Sequence, residues 1–261
     1  MPGVVGFMRA EDIKGTNRIR LTVPDQPILC EDRVRTLGDP ILAVVAETRE
    51  QARAAAAAVK VEYEPLPVMM TPEESLAPGA YQIHSHAPNN ILGSQPVIKG
   101  DAAKALKEAK TVVEAEFATQ TNHQAALEPE VSSAYLAGDG ENPQLIFIGR
   151  SINIHTHLAQ MKEAVGYENM RYQEAFSGGQ FGIKSSLAPE SLAAAAALHF
   201  KRPVRYVPSL EESLQITSKR ASYSSMKVKL AADGDGHLTA LDIDFTVNKG
   251  AYTGNGMNQM M

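Results

Sequence analysis

The stretch ILAVVAETREQARAAAAAVKVEYEPLP, residues 41–67, decides the fold class of the N-terminal part of this chain. ILAVVAE (41–47) is an apolar run typical of a buried strand, and Thr48 with Gln51 forms the capping-box pattern that begins a helix. The alanine-rich run that follows is a strong helix former. Residues 59–67 then alternate apolar and polar side chains, which predicts a strand with one solvated face that ends at prolines. The segment therefore predicts a β-α-β unit.

Further strands and helices are predicted along the rest of the chain. Apolar runs and alternation predict five more strands, at 111–120, 144–149, 203–207, 225–231 and 238–247. Helical spacing behind a capping residue predicts further helices, which begin after Asp101, Ser151 and Ser209 or near Pro189. The sequence DGDG at 233–236 indicates a hairpin between the last two strands. The predicted fold class is α/β in the wider sense that includes α+β.

Residues 71–99 are rich in Pro, Gly, Asn and Ser and show no lasting period, as in a linker or a long loop. We therefore expect two domains, at residues 1–90 and 91–261. The sequence stops at GNGMNQMM (254–261) without an evident closing element. We expect a fragment of a longer protein, with the second domain incomplete at its C-terminus.

Composition excludes several classes of protein. The net charge of −5 and the absence of a basic cluster argue against nucleic acid as the main partner. No apolar run approaches the roughly 20 residues that span a bilayer, and the N-terminus does not resemble a secretory signal. The single cysteine, Cys30, excludes an internal disulfide framework and any iron–sulfur cluster held by this chain's cysteines alone. We expect a cytoplasmic protein that does not bind membranes.

The stretch FSGGQFGIK, residues 176–184, is the most unusual part of the sequence. Glycines allow a ligand or another segment to approach the main chain closely. The stretch lacks the Gly-Lys-Ser/Thr ending of a P-loop and does not fit G-x-G-x-x-G. Without further context, a tight turn between a strand and a loop is the more frequent explanation of such a stretch.

The other polar groups give weak signals. The pairs His84/His86 and His155/His157 have no zinc-site spacing, and His123 is explained best as a buried, hydrogen-bonded residue. In Glu128-Pro-Glu130 the two carboxylates would point to opposite sides of an extended chain, which favours a strand start with one solvated glutamate. Lys219-Arg220 could reach a phosphate but is more typical of a solvated surface pair.

Taken in their order along the chain, several segments resemble the molybdenum hydroxylases, which are the family of xanthine oxidase and aldehyde oxidoreductase. The segments that carry this resemblance are residues 38–76, HQAALEPE (123–130), GRSINIHTHLAQMKEAVG (149–166), SGGQFGIKSS (177–186), TSKR (217–220) and NKGAYT (248–253). The resemblance implies a hammerhead-type α/β domain followed by the first part of a molybdopterin-binding α/β domain. It covers nearly the whole chain, and it is closest to the bacterial aldehyde oxidoreductases.

The resemblance also implies which residues form the site. The cofactor-binding residues would be the glycine stretch itself: Gly178, Gly179, Gln180, Phe181 and Gly182. The substrate pocket would include Phe181, Ile183 and Tyr252. No residue of this chain would ligate the metal, which the cofactor holds. No catalytic residue is assigned, because the general-base glutamate of the family lies in a part that this sequence lacks.

By the same resemblance, the reaction is oxidation of an aldehyde to a carboxylic acid with water as the oxygen source. The cofactor would be molybdenum with molybdopterin cytosine dinucleotide, and [2Fe–2S] clusters would sit only in missing domains or a partner subunit. Purine-oxidising members usually carry Glu after the loop lysine, whereas Ser185 follows Lys184 here, which favours an aldehyde. Asn255 and Met257 stand where aldehyde-oxidising members can have apolar or aromatic pocket residues.

We expect this chain to be inactive alone and to need the rest of the molybdenum domain and the iron–sulfur domains as partners. The parent protein is expected to be a homo-oligomer. Two alternatives stay open. One is another molybdenum hydroxylase, such as a carbon monoxide dehydrogenase large subunit or an N-heterocycle hydroxylase. The other is a non-catalytic binding or assembly protein that keeps the fold.

Overall fold

A computed structural model of the protein describes residues 1–19, 23–217 and 222–253, and it contains helices and sheets in both halves of the chain. The strands are β1 (Val4–Met8), β2 (Arg18–Ile19), β3 (Gln26–Pro27), β4 (Ala43–Ala46), β5 (Thr111–Phe117), β6 (Ser132–Ala137), β7 (Gln144–Gly149), β8 (Met170–Glu174), β9 (Val204–Tyr206), β10 (Ser222–Ala232) and β11 (Leu238–Asn248). The α-helices are α1 (Arg49–Ala57), α2 (Pro72–Leu76), α3 (Ala102–Glu108), α4 (Ile154–Val165), α5 (Ala188–Phe200) and α6 (Leu210–Glu212), and α6 continues into a π-helical turn, Ser213–Thr217. This content confirms the predicted α/β class.

The described residues form two compact units that alternate along the chain. Among the described residues, the larger unit comprises 1–19, 23–64, 123–217 and 251–253, and the smaller unit comprises 65–122 and 222–250. The predicted division of the chain at residue 90 stays a prediction.

The core of the larger unit is a four-stranded sheet in the order β8-β7-β6-β9, against which α4 and α5 pack. The pair β7–β8 is parallel, and β6 is antiparallel to both β7 and β9. Helix α5 lies close to the sheet because its middle residues, Ala193–Ala197, are small and almost fully buried. Phe147 of β7 and Tyr172 of β8 meet edge to face, with their ring centroids 4.5 Å apart.

Two short antiparallel pairs, β1–β4 and β2–β3, complete the larger unit. Met8, Ile19, Ile28 and Leu29 extend the same hydrophobic core to these strands. Gly6 of β1 lies against the ring of Phe200, where an added β-carbon would come within 2.7 Å of Cε1. The β1 strand therefore needs a glycine at this point to pack on the end of α5.

The smaller unit contains a three-stranded antiparallel sheet in the order β11-β10-β5. Its register gives one apolar face, made by the rows Val113–Leu230–Leu241, Ala115–Val228–Ile243 and Phe117–Met226–Phe245. The opposite face alternates acid and base in the rows Glu114–Lys229–Asp242 and Glu116–Lys227–Asp244. The apolar face remains largely exposed; Val113 and Phe117 are 60% and 53% accessible.

Locally encoded features of the sequence are confirmed. Thr48 and Gln51 make a complete capping box at α1, and Ser209 and Glu212 make another at α6. Strand β7 has the predicted bounds, and Asp101 caps α3 by accepting a hydrogen bond from the Lys104 amide. Each of these features depends on residues that are close together in the sequence.

Three expectations were wrong or incomplete. Residues 59–67 do not form a strand, and the predicted apolar side of that run, Val59, Val61 and Tyr63, is exposed. The alternation is present, but a strand also needs a neighbour for its backbone, and none of the described strands pairs with these residues. Helix α4 is capped by Asn153 rather than by Ser151. The 71–99 segment includes the short helix α2, which Thr71 and Glu74 cap reciprocally.

Within the described residues, no helix is both long enough and apolar enough to cross a membrane.

Candidate functional site

The glycine stretch forms a loop between β8 and α5. Its backbone enters the left-handed region at three positions: Gly179 (φ 126°), Phe181 (φ 46°) and Gly182 (φ 94°). Glycine adopts these angles readily, whereas Phe181 does so at a conformational cost that its surroundings must offset. The Phe181 side chain is 72% exposed. The loop therefore holds an aromatic ring in solvent on a strained backbone, which is typical of a functional site rather than of a passive turn.

The group that approaches the backbone of this loop is a carboxylate of the same chain. The amide of Gly178 donates to Glu128 Oε2 over 2.6 Å. A β-carbon at Gly178 would lie 3.0 Å from Glu128 Cβ, closer than side chains normally pack. The absence of a side chain at Gly178 is therefore explained within this chain, whether or not a ligand also approaches it.

Glu128 is the centre of a cluster of charges. The buried Lys184 ammonium, whose side chain is 2% exposed, donates to Glu128 Oε2 over 2.6 Å. Arg150 donates from Nε to Glu128 Oε1 over 2.7 Å and from Nη1 to the Val131 carbonyl over 2.7 Å. Partial burial raises the pKa of Glu128, but the hydrogen bonds from Gly178, Lys184 and Arg150 outweigh it and lower the pKa to about 2. Glu128 is thus a fixed anion beside the loop.

The side chain of Gln180 makes two hydrogen bonds to nearby residues of the same segment. Its Oε1 accepts a hydrogen bond from the Gly182 amide over 2.7 Å, and its Nε2 donates to Ser185 Oγ over 3.2 Å. The backbone amides of Gly179 and Phe181 have no acceptor among the residues that the structure describes. The Gln180 amide between them also has no acceptor in this part of the structure, so the middle of the loop offers unused hydrogen-bond donors.

The predicted site residues fall into two groups. Gly178, Gly179, Gln180, Phe181 and Gly182 lie together in the loop, with Ile183 directly after them. Ile183 is buried, so its side chain supports the loop from beneath. Tyr252 is also buried, and its hydroxyl donates to Asp39 Oδ2 over 2.6 Å. The assignment of these residues to a cofactor and a substrate stays a prediction.

A second acidic residue lies beneath the cluster. Glu190, in the first turn of α5, is 5% exposed, and its Oε1 accepts from the Arg150 amide over 3.4 Å. A β-carbon at Gly149 would lie 2.5 Å from the same oxygen. Glu190 Oε2 and the hydroxyl of Tyr172 are both buried, and the two side chains are close enough to shift each other's pKa, although no hydrogen bond of normal geometry joins these atoms in the described part of the chain. Burial raises the pKa of Glu190 to about 7, against the weaker opposing effect of the backbone amides and Arg150.

Sequence reasoning missed this cluster. The interpretation of Glu128-Pro-Glu130 as a strand start with one solvated glutamate was wrong: β6 begins only at Ser132, and Glu130 is buried. The partners of Glu128 lie 22, 50 and 56 positions along the chain, so no local pattern reveals them. The one available signal was the order of the segments around 128, 150 and 177–186.

The histidines singled out in the sequence have different surroundings, and the buried Nε2 of His123 has no hydrogen-bond partner among the described residues. His157 is buried in α4, its Nδ1 lies 2.7 Å from Ser151 Oγ, and burial lowers its pKa. His155 is exposed, in agreement with the expectation that the two residues do not share a helix face. His123 Nδ1 accepts from the Ala125 amide over 2.8 Å. Lys219 and Arg220, like Asn255 and Met257, lie outside the described residues.

Three possible metal ligands come together in the hairpin between β10 and β11. Among the described residues they are the one such group: Asp233, Asp235 and His237. Asp233 accepts hydrogen bonds from the Asp235 and His237 amides, and these bonds lower its pKa. The geometry is that of a self-capped hairpin loop.

Two family models match the chain. The model of the molybdopterin cofactor-binding domain matches residues 83–261. The model of the a/b hammerhead domain of aldehyde oxidase and xanthine dehydrogenase matches residues 1–67.

Individual relatives agree with these models. Aldehyde oxidoreductase from Megalodesulfovibrio gigas is 36% identical over 97% of this chain and 29% of its own length. A probable subunit of xanthine dehydrogenase from Bacillus subtilis (strain 168) is 34% identical over 97% of this chain and 33% of its own length. The solved structure of the aldehyde oxidoreductase from Desulfovibrio gigas has a TM-score of 0.87 at 36% identity and covers 95% of this chain and 28% of that one. The chain spans about a third or less of each of these relatives.

Proposed function

Because this chain belongs to the xanthine oxidase family of molybdenum hydroxylases, we propose that it forms part of a molybdenum-dependent aldehyde oxidoreductase. The family confirms the predicted resemblance and the predicted architecture, a hammerhead domain and a molybdopterin cofactor-binding domain. The matched members include oxidoreductases named for aldehydes, for xanthine and for nicotinate. The choice between these substrates for this chain is our proposal.

The glycine loop is the observation that carries the proposal. It lies within the part of the chain that matches the cofactor-binding model, and it offers unpaired amides at Gly179 and Phe181. Backbone amides are suitable donors to the oxygen atoms of a molybdopterin cofactor, because each N–H directs the positive end of its dipole at the acceptor and does not titrate. The residues present therefore fit the cofactor: Gly178–Gly182 would hold it, and the exposed ring of Phe181 would form an apolar wall beside it.

When bound, the cofactor would supply the metal that accepts electrons from the substrate, and the protein would supply orientation and electrostatics. Gly179 and Phe181 would donate hydrogen bonds where negative charge develops. Phe181 would exclude water from one side of the substrate. Glu128 and Lys184 would keep the loop in place. The general base is proposed to come from outside this chain.

Ser185 supports an aldehyde rather than a purine. It follows Lys184, at the position where purine-oxidising relatives usually have a glutamate, and it carries no charge that could bind a purine edge. Ser185 is buried, with its hydroxyl accepting from Gln180. Its side chain is used to close the loop rather than to contact a substrate.

The parent protein is proposed to contain further parts. Because the chain spans about a third or less of the aldehyde oxidoreductase and xanthine dehydrogenase relatives named above, we propose that the remaining molybdenum domain and the iron–sulfur clusters come from other segments or a partner subunit. The cofactor form is proposed to be the cytosine dinucleotide, and the location the cytoplasm. The chain alone is then inactive, so aldehyde turnover by purified 1–261 without a partner would contradict the proposal.

The first test is the molybdenum content of the purified parent protein by elemental mass spectrometry, together with nucleotide released by acid. We expect stoichiometric molybdenum and CMP from a host that makes the cofactor. Molybdenum without CMP would overturn the dinucleotide assignment alone. A folded protein without molybdenum from such a host would favour a binding or assembly protein. Aldehyde and xanthine oxidation by the molybdenum-containing parent protein would then decide the substrate class.

A further inference from the structure

The Glu128 side chain binds both ends of the glycine loop, although it lies about 50 residues before the loop in the sequence. Its Oε2 accepts both from the Gly178 amide at the start of the loop and from Lys184 at the end. Lys184 also donates to Ser177 Oγ over 3.3 Å. One carboxylate oxygen therefore joins the two ends of the loop.

The other oxygen of Glu128 connects the loop to the sheet. Arg150, directly after β7, holds Oε1 through Nε and holds the Val131 carbonyl through Nη1. The side chains of Arg150 and Lys184 are 11% and 2% exposed, so these bonds are shielded from water. Charge-assisted hydrogen bonds in such surroundings are stronger than those between neutral groups.

The strained residues lie between these two anchored ends. Gly179, Phe181 and Gly182 have positive φ, and the unpaired amides of Gly179 and Phe181 belong to the same span. A backbone of this kind persists only where its surroundings fix it. The anchors at Gly178 and Lys184 are suited to that task.

We propose that Glu128 is a positioning residue that locks the glycine loop in its strained conformation, with Arg150 fixing the carboxylate and Lys184 closing the loop. Glu128 acts through the loop and does not itself touch a substrate. The inference rests on the proposed function for its purpose, since a preformed row of amides is useful only if something binds there. The lock itself is a property of this chain and is measurable without cofactor.

Amide hydrogen exchange of the full chain, read on peptides that cover 176–186, tests the lock. Glu128→Gln keeps the shape and removes the charge, and Glu128→Ala removes the side chain. We expect the hydrogen-bonded amides of the loop, at Gly178, Gly182 and Ile183, to exchange roughly tenfold or more faster in both variants, because losing a charge-assisted bond makes local opening easier. Glu31→Gln is the matched control, since it breaks a comparable pair with Arg18 at 2.6 Å. It should leave loop exchange unchanged.

Chemical rescue separates a positioning role from a general loss of structure. Acetate should slow loop exchange in Glu128→Ala, because a small carboxylate can enter the space and accept from the Gly178 amide and Lys184. Chloride at the same ionic strength should not. Unchanged loop exchange in Glu128→Gln, an equal increase in Glu31→Gln, or no difference between acetate and chloride would each overturn the proposal.

Molybdenum and CMP contents of the parent protein that carries the same substitutions, purified from a host that makes the cofactor, distinguish this inference from the proposed function. Faster loop exchange with a lower molybdenum content supports the lock and its purpose. Faster loop exchange in a protein that never contains molybdenum supports the lock and contradicts the proposed function. Unchanged exchange overturns the lock whatever the molybdenum content.

Discussion

Glu128 and Gly178 lie 50 positions apart in sequence, yet the amide of one donates to the carboxylate of the other over 2.6 Å. Their closeness leaves no room for a side chain, because a β-carbon on Gly178 would lie 3.0 Å from Glu128 Cβ. The glycine is thus required by a neighbour within the fold. This relationship connects the LEPE segment to the glycine loop and explains why the two occur together.

Gly178→Ala should destabilise the protein by about 1–2 kcal/mol, because the added methyl group overpacks against Glu128. The free energy of unfolding from chemical denaturation measures the effect. Gly93→Ala is the matched control, since Gly93 has nothing within 4 Å of its added β-carbon and no positive φ. It should be neutral or slightly stabilising. If the two substitutions changed the free energy of unfolding equally, close packing of Glu128 against position 178 would be ruled out.

The pH dependence of stability should report the charge on Glu128. Its pKa is lowered from 4.5 to about 2 in the folded protein, so its stabilising effect is present above the unfolded pKa. That effect is lost as the pH falls from about 4.5 through about 2. Melting temperatures measured over this range should fall less steeply for Glu128→Gln than for the wild type. Parallel curves would mean that the carboxylate gains nothing from Gly178, Lys184 and Arg150.

The features that the sequence predicted well are those with local causes. The capping boxes at Thr48 and Ser209, the strand at 144–149 and the DGDG hairpin each depend on neighbouring residues. The prediction of a strand at 59–67 was wrong, because alternating apolar and polar residues define the two faces of a strand but do not provide a neighbouring strand to pair with. The Glu128 cluster was missed because its energy comes from residues brought together by the fold.

The family was nevertheless predictable, since it depends on the order of several segments rather than on any one contact. That order, from 38–76 to 248–253, is preserved even where single motifs are weak. The pairing of Glu128 with Arg150 and Lys184 could not be read from that order. Charged side chains in loops have many candidate partners, and only the packed structure selects among them.

The apolar face of the β11-β10-β5 sheet should make the purified chain bind hydrophobic dyes and associate. Val113 and Phe117 are 60% and 53% exposed there, and contiguous exposed apolar surface of this kind marks an interaction site. Replacing both residues by Thr should lower the fluorescence of bound anilinonaphthalene sulfonate and the apparent mass in light scattering, because Thr keeps strand propensity.

The charged face of the same strand provides the control. Glu114→Thr with Glu116→Thr alters that face and breaks the exposed Lys229–Glu114 pair, so dye binding should not fall. A wild-type chain that is monodisperse and binds no dye would contradict the prediction that this face needs a covering partner.

Glu190 should make the protein less stable as the pH rises. Its pKa is raised from 4.5 to about 7 by burial, so the folded state binds the proton more tightly than the unfolded state does. The stabilising effect is complete below the unfolded pKa and is lost as the pH rises through about 7. The loss is on the order of 3–4 kcal/mol, since the pKa rises by about 2.5 units and one unit corresponds to about 1.4 kcal/mol.

Glu190→Gln replaces the buried acid with a neutral group of the same shape. Denaturation midpoints measured at about pH 5 and pH 8 should therefore differ less in this variant than in the wild type, with the variant more stable at the higher pH. Glu174→Gln, at the exposed end of β8, is the control and should follow the wild-type curve. The contrary result is that Glu190→Gln is less stable than the wild type by the same amount at pH 5 and at pH 8. Glu190 would then be ionised at both pH values. The Arg150 amide and charge would then outweigh burial.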